Sequence, residues 1–204
     1  SQSPRSVHDR YADDVREADR QVGRLMDALG DRAADTLVAL TADHGEAFGE
    51  HGEIAHSIFV YDTTLRVPLI LAGPGIPART VDAPVSLIDI APTAVNLLGA
   101  GRFDADGIDL RDVLAGGTVR GRTLYAESFA PLLDFGWSPL RAVRADGWKY
   151  IAAPKPELYH LANDPDESRN VVTTDPSRAA AMQAQADRFS PDRLDVTKVT
   201  DGET

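Results

Sequence analysis

Two short apolar runs constrain the fold of this chain more than any other feature. One extends over residues 36–41, and the other extends over residues 67–72 and stops at Gly73-Pro74-Gly75. Short apolar runs between polar segments are typical of strands buried on both faces, as in parallel or mixed sheets. About two dozen polar-rich residues separate the two runs. A connection of that length without structure of its own is more often functional than idle.

Helical patterns flank the two runs. Over residues 9–29 apolar side chains recur every three or four positions, which predicts an amphipathic helix that ends at Gly30. A second helix is predicted over residues 89–98, with Ser86 or Asp89 as its N-cap. Helix, strand, loop, strand and helix in this order predict an α/β fold.

From about residue 122 the sequence becomes typical of antiparallel strands. Strands are predicted over residues 123–129 and 157–161. Between them, residues 141–151 predict a hairpin, because an Asp-Gly turn at Asp146-Gly147 is a strong short-range hairpin signal.

A last helix is predicted from Asp175-Pro176 to about Phe189, with a polar tail over the last dozen residues. This helix would cover the antiparallel sheet. We therefore expect two parts, an α/β part over residues 1–121 and a small antiparallel sheet with one covering helix over residues 122–204.

Charge and composition exclude several classes of protein. The formal net charge of −11 disfavours nucleic acid and anionic membranes as partners. The chain has no cysteine, which excludes disulfides, thiolate metal sites and a cysteine nucleophile. No apolar run reaches the ~18 residues that a transmembrane helix needs, and the first ten residues lack the apolar region of a signal peptide. The compartment stays open.

The candidate functional residues cluster directly after the first apolar run. Three of the five histidines and four carboxylates fall within positions 43–56. Ligands of open α/β sheets bind beyond the carboxyl ends of strands, and Asp and His suit divalent cations. We expect Asp43 and His44 to bind a metal, with Gly45 allowing a sharp turn. Two ligands are too few for a cation that takes roughly four to eight. The alternative interpretation is a solvated acidic loop.

Residues 41–56, followed by Tyr61, resemble the C-terminal metal motif of sulfatases in the alkaline-phosphatase superfamily. The likeness covers about residues 9–172, and residues 157–167 are its other highly specific part. The remaining similar segments are residues 11–29, 65–71, 86–93 and 147–151. The resemblance implies a mixed sheet flanked by helices and a metal-dependent hydrolysis of sulfuric esters.

Carried over by position, the resemblance makes Asp43 and His44 two ligands of one divalent cation, which is calcium, manganese, magnesium or zinc. Many sulfatases have Asn at the second position. The His favours manganese or zinc and is similar to relatives that hydrolyse phosphonate or phosphate esters. His56 would contact the ester oxygens and serve as a general acid. We expect Glu46 and His51 to support the site or only the fold.

The resemblance also implies parts that we do not find. Family members place two further Asp ligands and a nucleophile near the N-terminus of a longer chain. That nucleophile is a formylglycine in a Cys/Ser-x-Pro-x-Arg motif, or a plain Ser or Thr in phosphoesterase relatives. Residues 174–178 have a hydroxyl there but follow the metal motif and fit a helix start. Residues 137–141 and 189–193 have an aromatic residue in the nucleophile's place.

We therefore expect the C-terminal portion of a sulfatase-like hydrolase, inactive as 204 residues. The partner of the complete enzyme would be a small-molecule sulfate or phosphate ester. Two alternatives stay open: a phosphonate or phosphate ester hydrolase of the same superfamily, and a non-catalytic binding module with a relic metal site. Exposed sheet edges would favour self-association.

Overall fold

A computed structural model describes residues 6–189. The chain divides into two compact units, one formed by Ser1–His56 with Thr63–Arg120 and the other by Ser57–Asp62 with Gly121–Thr204. The predicted polar tail and most of residues 189–193 lie outside the described residues. Among the helices at positions 6–189, none has the length and apolar character needed to cross a membrane.

The first unit begins with helix α1, Val7–Leu29, as predicted. The Ser6 hydroxyl accepts a hydrogen bond from the Asp9 backbone N–H at 3.0 Å, and the Asp9 carboxylate accepts one from the Ser6 backbone N–H at 3.2 Å. This reciprocal pair satisfies two of the donors that a helix N-terminus leaves free. Gly30 ends the helix at a positive φ of 53°.

Strands β1, Val38–Thr41, and β4, Leu69–Ala72, pair antiparallel, with Val38 opposite Ala72 and Thr41 opposite Leu69. The expectation that both apolar runs are buried on both faces is wrong, because every residue of the pair is at least partly exposed. Within residues 6–189 the sheet consists of these two strands alone. No residue of α1 is buried either.

The polar segment between β1 and β4 has structure of its own. Strands β2, Ala47–Phe48, and β3, Ile54–Ala55, form a short antiparallel hairpin, with a 3₁₀ turn between them. The four-residue helix α2, Asp62–Leu65, follows. The Thr64 carbonyl of α2 accepts a hydrogen bond from the Gly45 N–H at 2.8 Å, so the chain returns to the end of β1 within this segment.

The predicted second helix is confirmed as α3, Ile90–Leu97, preceded by a 3₁₀ turn, Leu87–Asp89. The fully buried Asp89 carboxylate accepts hydrogen bonds from the backbone N–H groups of Ser86 at 2.8 Å and Ile108 at 2.9 Å. The short helix α4, Arg111–Leu114, completes this part of the first unit.

The second unit contains a four-stranded antiparallel sheet in the order β5-β6-β7-β8. Its strands are Leu124–Ser128, Leu140–Ala145, Trp148–Ala152 and Glu157–His160. The predicted hairpin is β6-β7, and its turn residues Asp146 and Gly147 have φ values of 49° and 79°, as a type I′ turn requires.

One face of this sheet is covered by helix α6, Pro176–Asp187, as predicted. Asp175 caps the helix by accepting a hydrogen bond from the Arg178 backbone N–H at 3.1 Å. The core between sheet and helix includes Val143, Leu158 and Met182. A six-residue helix, α5, Ala130–Phe135, lies between β5 and β6 and was not predicted.

Candidate metal and anion site

Asp43 and His44 follow β1 directly, at the carboxyl end of the strand. The Asp43 side chain is 90% exposed, and its Oδ1 accepts a hydrogen bond from the His44 backbone N–H at 3.0 Å. Its Oδ2 lies 3.8 Å from His44 Nε2. The predicted ligand pair therefore presents a carboxylate oxygen and a ring nitrogen side by side.

The tautomer of His44 follows from its hydrogen bond. Nδ1 lies 2.8 Å from the Gly45 carbonyl oxygen, which can only accept, so Nδ1 carries a proton, and in the neutral ring Nε2 carries the lone pair. Ligating histidines usually donate their other ring N–H to a carbonyl or carboxylate in this way. The lone pair of Nε2 is thus available beside the Asp43 carboxylate.

The two donor atoms fit part of a metal site. Their 3.8 Å separation is shorter than twice a metal–ligand bond of about 2.1 Å, so one cation can reach both. A carboxylate with an imidazole suits manganese or zinc. Residues 6–189 contain no group of three or more His, Asp or Glu placed to hold a metal ion. Among these residues, Asp43 and His44 are therefore two candidate ligands and do not form a complete metal site.

Gly45 is required for a reason that differs from the expected one. Its φ is not positive, so the sharp left-handed turn is not what needs a glycine. Its N–H donates to the Thr64 carbonyl at 2.8 Å, and an added Cβ would lie 2.3 Å from the Thr63 carbonyl oxygen. The loop of residues 43–45, here called the ligand loop after its predicted role, therefore passes too close to α2 for any side chain at position 45.

The structure places His56 beside the predicted ligand pair. Its ring stacks on that of His44 with a centroid distance of 3.9 Å, and its Nδ1 lies 3.4 Å from Glu46 Oε1. Its neighbours Ala55 and Ser57 have φ values of 84° and 98°, which L-residues rarely adopt. Backbone strain of this kind persists where the surroundings hold it, often at functional sites.

The other acidic side chains and His51 are placed differently. Glu50 accepts a hydrogen bond from the Phe48 backbone N–H at 2.6 Å, and that bond lowers the pKa of Glu50. Glu53 is buried. His51 occupies the hairpin turn with a left-handed φ of 54°. The predicted cluster thus separates into residues 43–46 with His56 and a hairpin that carries Glu50, His51 and Glu53.

Helix α1 packs against this hairpin. The ring of Phe48 lies 4.2 Å from that of His8 and meets the ring of Tyr11 edge-on at 5.1 Å. Aromatic pairs in these arrangements stabilise by about 0.5–1.5 kcal/mol beyond their buried area. The β2-β3 hairpin, which returns His56 to His44, is therefore anchored to α1 through β2.

Comparisons with known proteins find sulfatases. The family model "Sulfatase" matches residues 1–100. The uncharacterised sulfatase YidJ of Escherichia coli K12 is 33% identical over 159 residues, or 76% of this chain and 32% of that protein. Choline-sulfatase of Rhizobium meliloti is 31% identical over 170 residues, 79% of this chain and 32% of that protein. The chain thus spans about a third of the length of these relatives.

Solved structures give the same result. A 2-O GAG sulfatase superposes with a TM-score of 0.71 at 27% identity, covering 89% of this chain and 41% of that one. The phosphonate monoester hydrolase of Agrobacterium radiobacter gives 0.66 at 30% identity, covering 86% of this chain and 38% of that one. These likenesses confirm the predicted fold class, alkaline-phosphatase-like α/β with a small C-terminal antiparallel sheet.

Proposed function

The chain belongs to the sulfatase family, and from that premise we propose that it carries part of a metal-dependent site for hydrolysing sulfuric esters. The observation that supports the proposal most is the pairing of Asp43 with His44. The hydrogen bond to the Gly45 carbonyl selects the neutral tautomer in which Nε2 carries the lone pair, 3.8 Å from the Asp43 carboxylate. A solvated acidic loop gives no reason for this pairing.

The proposed roles follow from the donor atoms. Asp43 and His44 would hold a divalent cation, which is calcium, manganese, magnesium or zinc. When bound, such a cation stabilises negative charge that develops on ester oxygens. His56, oriented by the His44 ring and Glu46, would contact those oxygens and protonate the leaving group. General acid catalysis of this kind contributes about 10²–10⁴-fold.

We test the metal role by titrating the purified chain with Mn²⁺ in a calorimeter. Asp43→Asn keeps the shape of the side chain and removes its charge, so we expect at least about tenfold weaker binding. Asp14→Asn removes one exposed carboxylate from α1 and should change nothing. Equal binding by wild type and Asp43→Asn would contradict the proposal. No binding by either would favour the non-catalytic module with a relic site.

We further propose that the 204-residue chain does not turn over esters by itself. It has no cysteine from which formylglycine could form, and no Cys/Ser-x-Pro-x-Arg segment in the family's order. The check is an assay with nitrophenyl sulfate and nitrophenyl phosphate. Measurable hydrolysis that Asp43→Ala abolishes would show that these residues suffice, and the proposal of inactivity would then be wrong.

A phosphonate or phosphate ester is the second candidate substrate. It is favoured by the 30% identity to the Agrobacterium phosphonate monoester hydrolase and by His44, where many sulfatases have Asn. The test uses the Zn²⁺-loaded chain and follows the ring signals of His56 by NMR. Shifts with phenyl sulfate at concentrations where phenylphosphonate gives none support the sulfatase proposal, and the reverse supports the second candidate.

A further inference from the structure

A cluster of four charged side chains in the second unit, two of them buried and two partly exposed, has no part in the chemistry proposed above. Lys149 on β7 lies at its centre, with only 2% of its side chain exposed. Its Nζ contacts Asp62 Oδ1 at 2.8 Å and Glu167 Oε1 at 2.7 Å. Arg144 on β6 adds a contact from Nη1 to Asp62 Oδ2 at 3.0 Å. Two cations and two carboxylates therefore balance each other.

The geometry of the cluster converges on Asp62. Lys149 and Arg144 each bind one oxygen of its carboxylate, and Glu167 Oε2 accepts its backbone N–H at 2.6 Å. Glu167 is itself 98% buried and holds a left-handed φ of 51°. Burying such groups is costly unless each is paired, so the cluster has few alternative arrangements. Asp62 is thus fixed through both its side chain and its backbone.

Asp62 is also the first residue of α2. Two residues later, the Thr64 carbonyl accepts the Gly45 N–H at 2.8 Å, and the Thr63 carbonyl occupies the space where a Gly45 Cβ would lie. Gly45 in turn accepts the His44 Nδ1–H through its carbonyl. One helical turn therefore joins the charged cluster to the residue that follows the predicted ligand pair.

We propose that Lys149 and Glu167 are positioning residues for Asp43 and His44. By fixing Asp62 they set the path of α2, and the two carbonyls of α2 set the path of the ligand loop at Gly45. The role toward a metal rests on the proposed function, whereas the hydrogen-bond path does not depend on it. The competing explanation is that the cluster stabilises only the sheet of the second unit.

Amide hydrogen exchange, followed by NMR on the whole chain, separates these explanations. Glu167→Gln keeps the size of the side chain and removes its charge. We expect the Asp62 and Gly45 amides to exchange at least about tenfold faster, the effect of weakening one hydrogen bond by ~1.4 kcal/mol. The Gly49 amide, which donates to Glu53 inside the β2-β3 hairpin at 2.8 Å, should not change.

Leu158→Ala is the matched control. Leu158 is fully buried in the core of the second unit and is not one of the charged residues of the cluster. Its truncation should destabilise the core of the second unit without a selective effect on Gly45. If Leu158→Ala speeds exchange at Gly45 relative to Gly49 as much as Glu167→Gln does, the proposal is overturned. Faster exchange at Asp62 with none at Gly45 also overturns it.

Arg144→Gln provides a milder variant if Glu167→Gln does not fold, because Arg144 is partly exposed and makes one contact to Asp62. We expect the same selectivity for Gly45 over Gly49 with a smaller increase, about threefold. Suppose that the Arg144→Gln chain folds and its Asp62 amide exchanges faster than in wild type. An unchanged exchange rate of the Gly45 amide would then overturn the proposal in the same way.

A Mn²⁺ titration of the same variants distinguishes failure of this inference from failure of the proposed function. Binding by wild type that weakens about fivefold in Glu167→Gln and not in Leu158→Ala supports the positioning role. Equal affinity in wild type and Glu167→Gln overturns it. If wild type binds no Mn²⁺, the metal site fails, and exchange at Gly45 still decides whether the cluster positions the loop.

Discussion

Gly45 is the residue on which the geometry of the predicted ligand pair depends most directly. A Cβ there would lie 2.3 Å from the Thr63 carbonyl oxygen, which is backbone and cannot move aside cheaply. We expect Gly45→Ala to break the hydrogen bond to Thr64, to lower the free energy of unfolding by about 1–3 kcal/mol and to weaken Mn²⁺ binding. Urea unfolding and calorimetry measure the two effects.

Gly23→Ala is the control for this change. Gly23 lies within α1, and a Cβ there meets nothing within 4 Å. Alanine is more favourable than glycine in the interior of a helix. Gly23→Ala should therefore stabilise the chain by about 0.5–1 kcal/mol. If both substitutions changed the free energy of unfolding in the same direction, the close approach of the Thr63 carbonyl to Gly45 would not be the cause of the effect of Gly45→Ala.

At this scale the sequence predicts residue types and not their geometry. Asp43 and His44 stand out because an Asp-His pair directly after a strand is hard to explain by packing, and their role as ligands stays a prediction. That His56 stacks on His44 depends on a hairpin that reverses the chain between them. The left-handed backbone at Ala55 and Ser57 has no signal in the sequence, because both are residues that rarely adopt it.

The loop that follows β8 depends on a single carboxylate. Asp164 accepts hydrogen bonds from the Ser168 backbone N–H at 3.0 Å, the Ser168 hydroxyl at 2.8 Å and the Arg169 backbone N–H at 2.9 Å. Burial alone would raise the pKa of Asp164, but these three bonds outweigh it and hold the pKa below that of an ordinary aspartate. The loop leads to Glu167, so its closure also serves the charged cluster.

A lowered pKa in the folded state has a definite sign for stability. Above the unfolded pKa of about 3.9 the ionised Asp164 stabilises the fold, and this contribution is lost as the pH falls through the folded pKa. We expect the free energy of unfolding to decrease below about pH 4 less steeply in Asp164→Asn than in wild type. Urea unfolding of both proteins from pH 6 to about pH 2.5 measures this pH dependence of the free energy of unfolding.

The exposed Asp166, two positions away, provides the control for that series. Asp166→Asn removes the same charge without touching the three hydrogen bonds, so its pH dependence should follow that of wild type. A profile of Asp164→Asn that runs parallel to both would mean that the loop is not closed by the ionised carboxylate.

Elements whose ends are encoded locally are the ones that the sequence predicts well. Helix α6 has Asp175-Pro176 at its start, and the β6-β7 hairpin has Asp146-Gly147 at its turn; both are confirmed. The burial of β1 and β4 was predicted wrongly, because burial depends on what packs against a strand and not on the strand itself. Helix α5 was missed because it is six residues long and follows a strand closely.

Across the whole molecule, strong negative charge and exposed apolar surface oppose each other. In the first unit, 50% of Val15, 66% of Leu25 and 54% of Ile70 are exposed. Within residues 6–189, β1 and β4 pair only with each other, so each strand also has a free edge. Free edges and apolar patches favour association of copies, whereas a net charge of −11 repels them.

Salt decides which of these effects prevails. The Debye length falls from about 30 Å at 0.01 M salt to about 3 Å at 1 M, so repulsion between copies weakens while the apolar surface is unaffected. We therefore expect a single chain of 21.9 kDa at low salt and a larger mass at high salt, measured by light scattering after size exclusion.

Ile70→Lys places a charge on β4 and should restore the smaller mass at high salt. Leu133→Lys alters an equally exposed side chain on α5 of the second unit and should not. A mass of one chain at both salt concentrations would show that the exposed strands do not drive association, and restoration by Leu133→Lys instead would place the contact on the second unit.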